Sequence, residues 1–383
     1  MKTIVLKNAA SESARIEVAE MAKPAIRHDG EVLIRVLSVG IDGTDKEIVT
    51  HRYGVPEEGE DDLIIGHELS GIVEAAGAAS GFRPGDAVTA LVRRPCADPA
   101  CANCRADRAD YCETGAYTER GIKGSHGFMR EYVVEDARYV VKVPDDLKQL
   151  AVWVEPQSIF EKLWATIACI QQRFVWQPKR ALVLGSGPMG LLSALSLRTM
   201  GLETHVWSLH AGDSRQAAVL AGVGAEFRSA YGGEPDGEGG CGLARHYAGK
   251  RGIGFDVVLE CTGYSPLLVE AHRVLNRNGI IGTVGISPTD RRIPVPMDDI
   301  NQRMVIGNQT VVGSVNASKA DFARALDRIR DMERLYPGLL RGLITDEFAP
   351  EQVPSLAFDR IGIKAVVRMG EPGRRGRIAS PIA

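Results

Sequence analysis

The run Gly185-Ser186-Gly187-Pro188-Met189-Gly190 constrains this chain more than any other feature. It follows the apolar stretch ALVL and opens a second one, LLSALSL, so a G-x-G-x-x-G pattern stands between a strand and a helix. That is the setting in which the pattern holds the pyrophosphate of a dinucleotide. Gly185 permits the tight turn, Gly187 lets backbone approach a phosphate, and Gly190 lets helix and strand pack closely, with the helix N-terminus facing the anion. From about Arg180 onward the apolar β runs ALVLG, THVWSL, FDVVLE, GIIGTVG and TVVGSV alternate with stretches long enough for crossover helices, which predicts a doubly wound parallel sheet of the α/β class.

The choice of dinucleotide turns on the end of the second strand, where an acid grips the ribose hydroxyls and an Arg accommodates a 2′-phosphate. Here the sequence is VWSLHAGDSR: Ser208 and His210 occupy that region, Asp213 falls a little late, and Arg215 is within reach of a phosphate. NAD and NADP both remain open. Thr262 and Gly285, after the later strands, complete the candidate cofactor residues of this half.

Up to about Val154 the texture is different: IVLKN, EVLIRVLSVGI, SGIVEAAG, DAVTALV, MREYVVE and YVVKVP are short β segments bounded by turn residues, a mostly β domain with long loops. Between the halves, Ile159, Leu163, Ile167 and Ile170 recur at helical spacing, and Pro156 suits the first helical position, so Glu155 sits at a helix N-terminus. A helix pattern over 320–332 leads to the apolar strand IKAVVRM, which returns to the first domain. The expected domains are therefore 1–175 with a cysteine lobe at about 93–115, 176–316, and 317–383. The runs EEGEDD at 57–62 and GGEPDGEGGCG at 232–242 read as solvated loops, and EPGRRGRIASPIA as a loose tail.

Forty-nine acidic against 46 basic residues leave a formal charge of −3, which excludes the strongly basic balance of a nucleic-acid binder. The longest uncharged stretch, 181–197, is too short and too interrupted for a membrane span and reads as a buried strand and helix. The N-terminus lacks the apolar core of a secretory signal, so a cytoplasmic location is expected. Four of the seven cysteines, Cys96, Cys101, Cys104 and Cys112, crowd into C-x4-C-x2-C-x7-C, a spacing that supplies four thiolates to a closed tetrahedral zinc site. Such a site staples a loop and does no chemistry.

Asp42 in the turn GIDGTD, His67 in GHE and Glu155 in EP mean little singly: a turn former, a lone histidine and a helix-capping acid. Together with the four-Cys lobe, GFMREY, GSGPMG and GSVN, however, they occur in the order seen in zinc-dependent medium-chain dehydrogenases, and the chain resembles the glucose 1-dehydrogenase branch known from archaea over nearly its whole length. The resemblance implies a GroES-like catalytic domain beside a Rossmann-type one. It places Asp42, His67 and Glu155 as ligands of a catalytic zinc, with Asp42 where alcohol dehydrogenases have Cys. Two carboxylates and an imidazole sum to zero charge around Zn²⁺ and leave one position for water or substrate. His67 and Glu68 are neighbours whose side chains diverge in a helix or strand, so Glu68 is expected behind the ligands or as a transient one.

By the same resemblance Thr44 bonds the reacting oxygen and relays its proton. Glu119 and Asn316, with Glu155, contact sugar hydroxyls, and Asn316 also lies against the cofactor. The implied reaction is hydride transfer from C1 of an aldose, glucose leading, to NAD(P)⁺. A zinc-dependent alcohol or polyol dehydrogenase of the same superfamily is the alternative. A small-molecule sugar or polyol and a second copy of the chain, as homo-dimer or homo-tetramer, are the expected partners.

Overall fold

The computed structural model describes residues 1–230, 242–286 and 290–370; the Gly-rich stretch up to residue 241 and the tail from 371 lie outside the described residues. The chain divides into two compact units. The first comprises Met1–Val92, Thr118–Val152 and Ile344 onward, the second Arg93–Tyr117 and Trp153–Leu343.

In the first unit the eleven-residue strand Glu31–Ile41 is the spine of a seven-stranded sheet. Its β-branched run buries Val32, Ile34, Val36 and Val39 completely, as residues with restricted χ1 do on a packed pleated surface. It pairs antiparallel with Glu68–Ala76, with Tyr132–Asp136 and with Lys364–Arg368. The register sets Gly40 opposite Glu68 on one side and opposite Val366 on the other, so two early segments and a late one meet at one strand end. The helix Gly43–His51 follows directly, begun by Asp42 as N-cap.

The second unit is built on a six-stranded parallel sheet. Numbering its strands from Arg180–Leu184 gives the order 3-2-1-4-5-6, that of a dinucleotide-binding doubly wound sheet. The uncharged stretch 181–197 is the first strand and the helix Pro188–Thr199, as the sequence indicated.

Besides 92/93 and 117/118, which set the cysteine lobe in the second unit, the compact units change over at 152/153 and 343/344, beside the 175/176 and 316/317 of the sequence pattern. The helix Val154–Gln171 explains the first difference: its Leu163 and Ile167 fill the space over Gly282 of the parallel sheet, where even a Cβ would stand 2.9 Å from Leu163. Lys319–Leu335 packs on the same helix, with Arg328 Nε 3.0 Å from Glu161 Oε1. Apolar spacing announces that a helix is buried but not against which sheet. The helix starts at Val154, so Pro156 is its third residue; it loses nothing there, because the first-turn N–H groups have no intrahelical acceptor.

Candidate active site

Asp42 divides its carboxylate between two tasks. Oδ1 caps the helix by accepting from the Thr44 and Asp45 N–H groups at 2.8 and 3.1 Å. Oδ2 accepts from the Thr44 hydroxyl at 3.1 Å and lies 3.5 Å from His67 Nε2. A carboxylate held by its own helix N-terminus is fixed in rotamer by the fold alone. His67 is 4% exposed and precedes its strand, following Gly66 in the left-handed region at φ 88°, so the alternation expected to separate it from Glu68 does not apply. Asp42, His67 and Glu68 each offer an atom within 4.8 Å of the others. Glu68 Oε1 is buried without a hydrogen-bond partner, a costly arrangement for a carboxylate and one that a cation would relieve.

The other oxygen of Glu68, Oε2, accepts from the fully buried ammonium of Lys364. Burial pushes the Glu68 carboxyl up, and Lys364 works against it. For Asp42, too, burial raises the carboxyl, but the His67 charge and contact outweigh it and hold it well below the usual carboxylate range. Asp45, wholly buried and 4.0 Å from His67 Nδ1, is pushed up by burial to about 7. Lys364 and Asp45 were not among the residues singled out from sequence. Asp45 left a trace, the D-x-x-D spacing of a capping box; Lys364, 296 residues from its partner, left none beyond being charged in an apolar strand. Gly40 admits this pair: a Cβ there would overlap Glu68 Oε2.

In the second unit, the sulfurs of Cys96, Cys101, Cys104 and Cys112 also lie within 4.8 Å of one another, and none is in a disulfide. Burial pushes the Cys104 thiol up to about 12, whereas for Cys112 burial is outweighed by contacts to Thr114 and the neighbouring cysteines, which draw it down to about 6; holding all four as thiolates at once takes a cation among them. The donor set fits zinc. Asp110, between the last two cysteines, binds Lys162 Nζ at 3.0 Å, and the same Nζ donates to the Val315 carbonyl at 2.8 Å. Lys162 is 4% exposed, so one buried ammonium joins the cysteine lobe, the helix that carries Glu155 and the residue before Asn316.

Glu155 is buried in the first turn of that helix. Asn316 takes φ 59° and accepts from the Ala317 N–H through its own Oδ1 at 2.9 Å. Both belong to the second unit, whereas Asp42, Thr44, His67, Glu68 and Glu119 belong to the first; Glu119 is buried in the strand Thr118–Arg120.

The glycine loop has the geometry its residues predict. Gly185 has φ 103°, Gly187 is the N-cap of Pro188–Thr199 with open space where a Cβ would stand, and a Cβ on Gly190 would overlap the Gly185 carbonyl. Ser186 Oγ donates to Ser208 Oγ at 2.7 Å and lies 2.8 Å from His210 Nδ1, so these three side chains form one polar group at the end of the second strand. Thr262 abuts Gly185, and Gly285 abuts Gly263. Arg215 is exposed, and its guanidinium donates to the Gly342 carbonyl at 2.5 Å.

Residues 28–145 match the family model of the alcohol dehydrogenase GroES-like domain. With the parallel sheet of the second unit, this makes the fold that of the zinc-binding dehydrogenases. Residues 148–369 match the model of the glucose dehydrogenase C-terminus. The chain is 37% identical to a glucose 1-dehydrogenase of Methanocella arvoryzae over 97% of its own length and 100% of that protein. It is 35% identical to glucose 1-dehydrogenase 2 of Vulcanisaeta moutnovskia over 86% and 88%. Among solved structures, the glucose dehydrogenase of Haloferax mediterranei in complex with NADP, Zn and gluconolactone superposes with a TM-score of 0.86 at 29% identity, over 97% of this chain and 99% of that one. The chain belongs to the glucose dehydrogenase family of zinc-dependent oxidoreductases.

Proposed function

We propose that the chain oxidises an aldose at C1, D-glucose to gluconolactone in the first instance, and passes the hydride to NAD⁺ or NADP⁺. The observation that carries this is the cluster of Asp42, His67 and Glu68 with a buried, unpartnered carboxylate oxygen, in a chain of this family. Asp42 and His67 would hold a catalytic zinc, with Glu68 beside them; Glu155, in the second unit, is the further ligand that the family resemblance supplies. Zinc held there polarises a substrate hydroxyl and lowers its pKa. Thr44 takes up the hydroxyl proton and passes it on, its Oγ1 already hydrogen-bonded to Asp42 Oδ2. Glu119, Glu155 and Asn316 accept and donate to sugar hydroxyls, so that an analogue lacking one leaves a buried group unpaired. Gly185, Ser186, Gly187, Pro188, Met189 and Gly190 carry the pyrophosphate, with Ser208, His210, Thr262, Gly285 and Asn316 around the rest of the cofactor.

Four cysteines gathered to hold zinc, none in a disulfide, suit a reducing compartment, and we place the protein in the cytoplasm. No helix among the described residues is long and apolar enough to cross a membrane. The edge strand Thr310–Gly313 and the preceding helix expose Val305, Ile306 and Val311, an apolar edge suited to a homo-dimer or homo-tetramer.

The test is the initial rate of reduced nicotinamide formation by the zinc-loaded protein with D-glucose, other aldoses and polyols, each with NAD⁺ and NADP⁺. Turnover that is fastest with an aldose and lost on chelation supports the reading. A polyol oxidised faster than every aldose overturns it.

A further inference from the structure

A cavity of about 350 Å³ lies in the first unit, lined by Arg27, Glu31, Glu57, Arg120, His126 and Arg130 among others. None of these is among the residues assigned above to metal, substrate or cofactor. Two of its guanidinium groups make no ion pair among the described residues, the exposed Arg27 and the more deeply set Arg130. Arg130, from the GFMREY run, has its Nε sealed from solvent with no acceptor, and its guanidinium makes no ion pair among the described residues. Burial and the neighbouring Arg120 charge push it down to about 10, against the weaker opposing pull of the Glu135 and Glu57 carboxylates. Arg27 engages Glu31 through its backbone N–H alone, and its guanidinium has no acceptor among the described residues.

The other cationic donors of the lining are already engaged, and its carboxylates keep acceptor capacity. Arg120 is taken by Glu135 and the His126 carbonyl, at 2.9 and 3.0 Å. His126 Nδ1 accepts from the Ile64 N–H, so Nε2 carries the proton and faces Glu60 at 3.0 Å. That tautomer also removes the lone pair a metal would need, although Glu57, Glu60 and His126 stand close enough to suggest one. Glu57 and Glu31 each accept a backbone N–H, at 3.0 and 2.7 Å. Two free guanidinium forks beside two carboxylates are complementary to a ligand with an oxyanion at one end and hydroxyl donors at the other.

We propose that this cavity binds a phosphate group borne by a small hydroxylated molecule, a sugar phosphate in chemical class, at a site separate from the dinucleotide loop. The volume is at the lower end of those that enclose a small ligand. The inference does not depend on the glucose reading, because its test measures binding.

Thermal unfolding and calorimetric titration of the full zinc-loaded chain, with NADP⁺ at saturation to block the glycine loop, compare glucose 6-phosphate, inorganic phosphate and D-glucose. The expected result is saturable stabilisation by glucose 6-phosphate, weakened about tenfold or more in Arg130→Met and partly kept in Arg130→Lys. Unchanged NADP⁺ affinity in both variants confirms that they fold. Inorganic phosphate binding as tightly as the ester, and equally dependent on Arg130, would make free phosphate the ligand and overturn the sugar portion. Absence of saturation at millimolar ester, or a response untouched by Arg130→Met, would overturn the site itself.

Discussion

Replacing Lys364 by Met removes an ammonium and leaves its volume nearly intact, so the response isolates charge. Lys364 and Glu68 are 0% and 1% exposed, and no water can take over from the lost partner. Removing one member of a buried pair costs about 3–5 kcal/mol, because the other charge stays behind uncompensated. Without Lys364, the burial and the nearby Asp42 charge that already raise the Glu68 carboxyl drive it to take up a proton, and that uptake is part of the cost. At about 2 °C per kcal/mol for a chain of this length, the melting temperature of the metal-free variant should fall by about 6–10 °C.

Zinc beside Glu68 supplies the missing positive charge, so the deficit should shrink when zinc is bound; equivalently, zinc stabilises the variant more than the wild type. Neutralising the orphan by Lys364→Met with Glu68→Gln should recover at least half of the lost stability, since removing both partners of a buried pair is far milder than removing one. The assay is thermal unfolding of wild type, both single variants and the double variant, each with chelator and with zinc. A Lys364→Met deficit under about 1 kcal/mol, or a double variant no more stable than the Lys364 single, would refute the argument that this pair is a coupled unit.

Cys104→Ser should lower the zinc content measured by mass spectrometry from two to one per chain and destabilise the protein while the glycine loop still binds cofactor, because only the four-thiol lobe is touched. Lys162→Met cuts the link between Asp110 and the Val315 carbonyl; the KM for sugar should rise about tenfold and the KM for cofactor should rise with it, as expected for a loosened Asn316 that faces both. Ser208→Asp puts a carboxylate where a 2′-phosphate would lie, and the ratio of kcat/KM for NADP⁺ over NAD⁺ should fall about tenfold or more. Burial holds His272 below its ordinary value of 6.5. The unfolded chain therefore takes up a proton that the folded one resists, and stability should fall as pH drops below 6.5; His272→Phe should flatten that slope in denaturant titrations.

The glycine loop and the cysteine lobe were legible in the sequence because their geometry is set by a few consecutive residues. A G-x-G-x-x-G between strand and helix admits few conformations, and four cysteines within seventeen positions can hardly avoid one another. The Asp42, His67 and Glu68 cluster was legible through family resemblance, since each residue alone reads as a turn former, a lone histidine or a surface acid. What pattern could not supply was side-chain direction and partner identity. Spacing sets Arg215 near a phosphate, for example, but could not announce its hydrogen bond to the Gly342 carbonyl.

Register decides the rest. Gly40 faces Glu68 across one ladder and Val366 across the next, which carries Lys364 to the same strand end. Because side chains alternate, a slip of one residue in either ladder would turn Lys364 or Glu68 to the opposite face and strand a charge in the core. The strand KAVVR nevertheless carried a hint: a lysine at the head of a run buried to its penultimate residue must itself be buried or end the strand. A buried ammonium demands an anion. Among the acids that this sheet brings near, Glu68 is the one whose neighbour across the ladder, Gly40, has no side chain to stand in the way.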